Sequence, residues 1–223
     1  VTESNENTLL KVSSDVAGRG LAVLFAAIKV VRRPRPIHPR GEIFEGKIEW
    51  LNRTGTVSGI SWIDSPPPAG YQDVTVRVSR SVGLNPPLPD VIGLAFRFRT
   101  EHGDADVALA SSWLGLPGRF LLRLGRSANG TFTSLMPYRG DFGPVEISAR
   151  TTASRNGQWD VELFHATSTS KWRKFATVRL DAHALPDRAD LRFDPIENAL
   201  PGAGTYPWTR RLRQRSYVVA RKA

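Results

Sequence analysis

Apolar and polar residues alternate along most of the chain with a period of two. Ile43, Glu45, Lys47 and Glu49 interleave with Phe44, Ile48 and Trp50, and short apolar-rich runs follow at Val57 to Ile63, Val74 to Val78, Val91 to Phe98 and Val107 to Ser111. Such alternation sends successive side chains to opposite faces, so each run reads as a strand with one buried face. Pro, Gly and Asp residues separate the runs. The pattern resumes at Phe132 to Tyr138, Val145 to Ala149, Trp159 to Ala166 and Phe175 to Leu180, with Asn156-Gly157 as a hairpin turn and Asn129-Gly130 as a second turn signal. Many short strands at this spacing predict an antiparallel sheet closing into a barrel.

Helical signals lie mostly at the two ends. Residues 1–33 read as a polar tail and a helix, with Ser13, Ser14 or Asp15 as the N-cap and apolar residues dominating 21–31. After the irregular stretches 187–190 and 195–207, Trp208, Leu212 and Tyr217 recur at helix-compatible spacing in a basic segment ending at Lys222. Between them, Leu121, Leu122 and Leu124 after Pro117-Gly118 favour a short helix within 113–126. The expected fold is therefore α+β, with an N-terminal tail and helix over 1–33 and a single barrel domain with a C-terminal helix over 34–223.

Length and composition narrow the chemistry. At 223 residues the chain can bury a substantial core as one domain. It has no cysteine, which excludes disulfides, thiolate metal sites and cysteine nucleophiles and fits a reducing, cytoplasmic location. The apolar run Leu21 to Ile28 is too short to span a bilayer; a helix docked on its own domain accounts for it, with an amphipathic membrane-surface helix as the alternative. A net charge of +10 predicts attraction to an acidic partner without naming one. Walker glycines, a Gly-x-Ser-x-Gly elbow and a nucleic-acid-binding module are all missing.

The stretch Arg35-Pro-Ile37-His38-Pro-Arg-Gly41 holds a histidine between prolines at the start of a strand pattern. Prolines 34, 36 and 39 stiffen the segment and present the imidazole from an extended backbone. By itself this fits a loop histidine facing water as well as a chemical group. Four further segments occur with it in order: Val76-Arg77-Val78-Ser79-Arg80-Ser81-Val82-Gly83, then Asp90-Val91-Ile92-Gly93-Leu94-Ala95-Phe96-Arg97-Phe98, then Phe193-Asp194-Pro195-Ile196-Glu197-Asn198-Ala199-Leu200-Pro201-Gly202-Ala203-Gly204, and finally Arg213 four residues before Tyr217. Together they resemble the haem catalases, whose R-V-V-H-A-x-G, V-R-F-S-x-V-x-G, D-P-R-G-F-A-V-K-F and F-S-P-A-N-x-V-P-G-I-G segments stand in the same order. The resemblance covers most of 32–222 and is thinnest between 112 and 192.

The resemblance implies a catalase-like barrel with haem b as cofactor. His38 would be the distal acid/base, Ser79 its hydrogen-bond partner and Ile37 a contact on the porphyrin face. Arg35, Arg77 and Arg213 would hold the propionates, and Tyr217 on the C-terminal helix would ligate iron. The spacing of Arg213 and Tyr217 adds a physical argument: at i and i+4 a guanidinium adjoins the phenol and favours the phenolate. One position departs from the family. Where catalases carry asparagine in D-L-V-G-N-N, Asp106-Val107-Ala108-Leu109-Ala110-Ser111 places Ser111, whose hydroxyl donates one hydrogen bond with shorter reach.

These residues imply a haem-dependent peroxidase or hydroperoxide-processing enzyme, acting on peroxide or an organic hydroperoxide and assembling as a homo-oligomer. A non-catalytic barrel for haem or another anionic ligand is the alternative. A haem-free phosphate-ester hydrolase or binder is a further one.

Overall fold

The computed structural model describes residues 40–51, 57–65, 67–101, 103–153, 159–167, 170–181, 183–186 and 191–211. The longer strands are β1 (Arg40–Trp50), β2 (Tyr71–Arg80), β3 (Asp90–Thr100) and β4 (Gly103–Ser111). Short strands β5 (Leu124–Gly125), β6 (Thr131–Thr133) and β7 (Tyr138–Gly140) follow. Then come β8 (Gly143–Ala153), β9 (Trp159–Thr167), β10 (Arg173–Leu180) and β11 (Leu185–Pro186).

Pairing runs β10-β9-β8-β6-β4-β3-β2-β1, and β1 also pairs with β10, so eight antiparallel strands close into a barrel. The alternation and turn spacing of the sequence predict this closure. β11 extends β1, while β5 and β7 pair with β3 and β8. The closing seam depends on Gly46, which lies opposite both Val74 and Leu180; a Cβ there would run into the Arg179 carbonyl oxygen. Glycine alone lets the backbones approach this closely.

Period two separates the two faces of the barrel wall. Phe44, Ile48, Val74, Val76, Leu94, Phe96, Phe98, Val107, Phe132, Ile147, Leu163 and Val178 belong to one buried cluster, and their registers place them on the inner face. The interior is thus packed with side chains, as in other small barrels. Each large apolar side chain buried there contributes about 1.5–3 kcal/mol, which makes the interior the main source of stability. The packed interior leaves the outer face and the barrel ends as the surfaces open to solvent.

Several sequence expectations change. Val57 to Ile63 is not a strand: the chain turns at Gly59 into a short helix, α1 (Ser61–Asp64), whose Asp64 carboxylate accepts the N–H groups of Ser58 and Gly59 at 2.9 and 2.8 Å. The 113–126 segment forms a 3-10 turn (Gly118–Phe120) and β5 in place of a helix, leaving Leu121 and Leu124 largely exposed. Asn129-Gly130 closes no hairpin, because β5 pairs with β3 whereas β6 pairs with β4 and β8. The run Phe132 to Tyr138 is split into β6 and β7 where Leu135 adopts a left-handed φ of 57°. The expected turn Asn156-Gly157 and the N-terminal helix of 1–33 lie outside the described residues; β8 and β9, which flank that turn, pair antiparallel from Ala153 and Trp159.

A helical turn at 207–211, with Arg210 N–H bonded to the Tyr206 carbonyl at 2.9 Å, stands where the sequence places a C-terminal helix. The remainder of that helix lies outside the described residues. No helix among the described residues is long and apolar enough to cross a membrane.

Candidate functional site

Odd-numbered residues of β1, β2 and β3 occupy the outer face of the barrel wall. Gly41, Ser79, Gly93 and Ala110 are neighbours across four strands, and Ile43, Arg77, Ala95 and Ala108 form the adjacent row. Ser79 is buried, while Ala95, Ala108 and Ala110 are half-exposed. Small side chains make this part of the wall a smooth shelf. The Arg77 guanidinium lies directly over Gly41: a Cβ at residue 41 would meet Arg77 Nε, Cζ and Nη2, each at 2.8 Å. Gly41 thus leaves the space that lets the guanidinium lie flat against the strand, three residues after His38.

The next outward row carries a knot of charge. Asp106, fully buried on β4, faces Arg97 on β3. Its carboxylate accepts Arg97 Nε and Nη2 at 2.8 Å each, the Asp194 N–H at 2.7 Å and Asn198 Nδ2 at 2.8 Å. Asp106 N–H in turn donates to the Asn198 carbonyl at 2.8 Å. The fork-to-carboxylate pairing holds Arg97 charged above its ordinary range, against the opposing effect of burial. Arg97 also covers the Phe193 ring at 5.0 Å and donates to the Arg192 carbonyl.

The 191–206 segment is thereby pinned to the same outer face that carries Arg77 and Ser79. Trp62 N–H donates to the Pro201 carbonyl at 3.1 Å, and Arg139 and Gly204 exchange two backbone hydrogen bonds at 2.8 and 2.7 Å. Burial raises the Tyr206 phenol above its usual range, with Arg139 opposing the shift. These contacts fix where the helical turn at 207–211 begins.

Ser111 has a backbone task. Its Oγ accepts the Ile92 N–H at 3.1 Å and donates to the Arg123 carbonyl at 2.5 Å, on the wall face opposite to that of Ser79. The hydroxyl replaces a ladder acceptor where the regular pairing of β3 and β4 stops. Ser111→Ala should therefore leave the Ile92 N–H unsatisfied and cost about 1–2 kcal/mol, measurable by denaturant unfolding; an unchanged midpoint would contradict the assignment.

A second buried polar group lies further round the outer face. Arg119, in the 3-10 turn, brings Nη1 to 3.7 Å from Glu146 Oε2 on β8 and stacks on Trp172 at 4.6 Å. Thr133 Oγ1 donates to the Arg119 carbonyl at 2.6 Å and accepts from Ser112 Oγ at 2.9 Å. Among the described residues, both Glu146 oxygens, Arg119 Nε and Nη1 and Ser148 Oγ lack a hydrogen-bond partner. Burial pushes the Glu146 carboxyl up to about 7, against the pull of Arg119.

Of the residues singled out by sequence, the structure brings Arg77 and Ser79 to one face and places Ser111 on the other. Arg35, Ile37, His38, Arg213 and Tyr217 lie outside the described residues. No group of His, Asp and Glu side chains suited to a metal ion occurs among the described residues. Asp106, Arg97, Asn198, Arg119 and Glu146 were not apparent as site-shaping residues. For Asp106 a signal existed, since it opens one catalase-like segment and Asn198 lies in another.

The closed eight-stranded antiparallel barrel resembles the catalase fold. A fungal catalase structure superposes with a TM-score of 0.60 at 13% sequence identity, covering 86% of this chain and 59% of the catalase. A bacterial catalase gives 0.51 at 15% identity, covering 91% of this chain and 59% of the other. The likeness is one of fold, and the aligned part spans less than two thirds of either catalase. No protein-family model and no curated sequence matches the chain.

Proposed function

We propose that the protein binds haem b on the outer wall of its barrel and processes peroxide or an organic hydroperoxide. The observation that carries the reading is the flat Arg77 guanidinium over Gly41, beside buried Ser79 and the half-exposed alanines of β3 and β4. A planar macrocycle with carboxylate substituents calls for a smooth wall and a guanidinium fork, and this surface fits both needs. The catalase fold and the pinned 191–206 segment, which leads toward Tyr217, agree with it.

Haem would supply a redox-active iron at which a peroxide O–O bond is cleaved. Arg77, with Arg35 and Arg213, would hold the propionates. Arg213 would also favour the phenolate of Tyr217, the residue that would hold the iron, and Ser79 would fix the His38 tautomer. His38 would take a proton from one peroxide oxygen and return it to the other.

The test is reconstitution with hemin followed by optical spectroscopy and a hydroperoxide assay with an electron donor. Tyr217→Phe should abolish or shift the haem spectrum, whereas His38→Ala should retain it and slow peroxide consumption by about 10²–10⁴-fold. Equal spectra and rates in both variants would overturn the assignment. A second reading, haem binding with little turnover, is favoured by the engagement of Ser111 Oγ in two backbone hydrogen bonds. Normal haem binding by a protein that leaves hydroperoxide intact would select it.

A further inference from the structure

The barrel end at which β1 begins exposes a group of leucines. Leu84, Leu88 and Leu124 are 40, 54 and 62% exposed, and Leu121 is 53% exposed. Arg80 ties the loop of Leu84 and Leu88 to the chain just after Leu124: its Nε donates to the Leu84 carbonyl at 3.0 Å, its Nη1 to the Arg126 carbonyl at 3.3 Å and its Nη2 to the Leu88 carbonyl. Buried Asp90 fixes the same loop by accepting the N–H groups of Val82, Gly83 and Leu84 at 2.8, 2.7 and 3.0 Å. β5 then sets Leu124 opposite Val91. These leucines are held in place by a built loop, and a fixed apolar surface of this kind marks a contact.

The course of the chain indicates what covers it. Arg40 lies in register opposite Arg80, so the 39 residues before it reach β1 beside this patch. That stretch contains Leu21, Leu24, Phe25 and Ile28 at the i, i+3, i+4, i+7 spacing of a single apolar stripe. The nine residue-to-residue steps from Val31 to Arg40 reach up to about 30 Å, ample for the stripe to return to the patch.

We propose that residues 21–31 cover the leucine patch of their own chain, the stripe Leu21, Leu24, Phe25 and Ile28 lying against Leu84, Leu88 and Leu124. The segment holding His38 is then anchored on both sides, by this contact and by the pairing of β1 with β2. The contact does not depend on haem.

The absence of native cysteine makes cross-linking a direct test in the full chain. Leu21, Leu24, Phe25 or Ile28 is changed to Cys together with Leu88→Cys or Leu124→Cys, with Phe142→Cys at the far end of the barrel as control. At least one pair should form an intrachain disulfide under mild oxidation at least about tenfold faster than the control, because the bond requires Cα atoms within about 7 Å. Formation no faster than the control would overturn the proposal. A disulfide between two chains would instead assign the patch to a second copy. Flotation of the full chain with phosphatidylserine-containing vesicles would assign the 21–31 run to a membrane, and either result equally overturns it.

Discussion

Asp106→Ala should remove about 3–4 kcal/mol of stability, as expected when a buried carboxylate is taken from partners that depend on it. Four donors converge on this one group: two from Arg97, one from the Asp194 backbone and one from Asn198. Truncation leaves the Arg97 guanidinium partly desolvated without its partner and frees two donors of the 191–206 segment. Arg97 keeps some access to water, which holds the loss near the lower end of what a broken buried pair costs. Asp106→Asn retains one acceptor oxygen and the shape, so it should cost roughly half as much. Denaturant unfolding measures both, and protease cleavage within 191–206 should rise in the same order. A loss below about 1 kcal/mol for the alanine variant would show that the knot does not hold the segment.

The same residue shows what the sequence could reveal. The barrel was legible because its strands have one packed face, and period-two alternation records which face that is. Position 106 interrupts nothing in that pattern: an aspartate on the outward side of a strand reads as solvated surface. Its burial comes from the 191–206 segment crossing the wall, a contact between residues about ninety positions apart that no local period encodes. Resemblance to an ordered set of segments was the one route to it, since it brought the stretches containing Asp106 and Asn198 to notice together.

Other departures also have specific causes. Val57 to Ile63 has the apolar content of a strand, but Gly59 turns the chain and Asp64 ties that turn to α1. The leucines of 121–124 suggest a helix, yet Ser111 and Thr133 take the carbonyls of Arg123 and Arg119, which diverts that backbone from helical bonding. In each case a polar side chain outside the run claims a backbone group. Hydrophobic periodicity carries no record of such claims. For Arg77 and Ser79 the common wall face follows from strand alternation, since they stand two residues apart on β2.

Glu146→Gln should stabilise the protein above neutral pH and leave it unchanged in acid. Glu146 is 1% exposed, with Arg119 too distant for a hydrogen bond, Ser148 and Thr133 on the same wall face, and Ala166 opposite on β9. Desolvation dominates and raises it from 4.5 to about 7. A raised carboxyl binds its proton more tightly in the folded state, so its contribution to stability is complete below 4.5 and is lost as pH rises through 7. The loss amounts to about 3 kcal/mol once the group is ionised. Glutamine has the same shape and no charge to desolvate, so the difference in unfolding free energy between variant and native chain isolates this group from every other titration. It should be near zero at about pH 4.5 and grow to about 2–3 kcal/mol in favour of glutamine by about pH 8.5. A difference that does not vary with pH would mean that Glu146 titrates alike in the folded and unfolded chains, with Arg119 compensating the burial. A glutamine variant that is weaker only at high pH would show that the ion pair outweighs desolvation. The predicted slope has the opposite sign, so one pair of pH series decides between a carboxyl held neutral under the 3-10 turn and a stabilising buried ion pair.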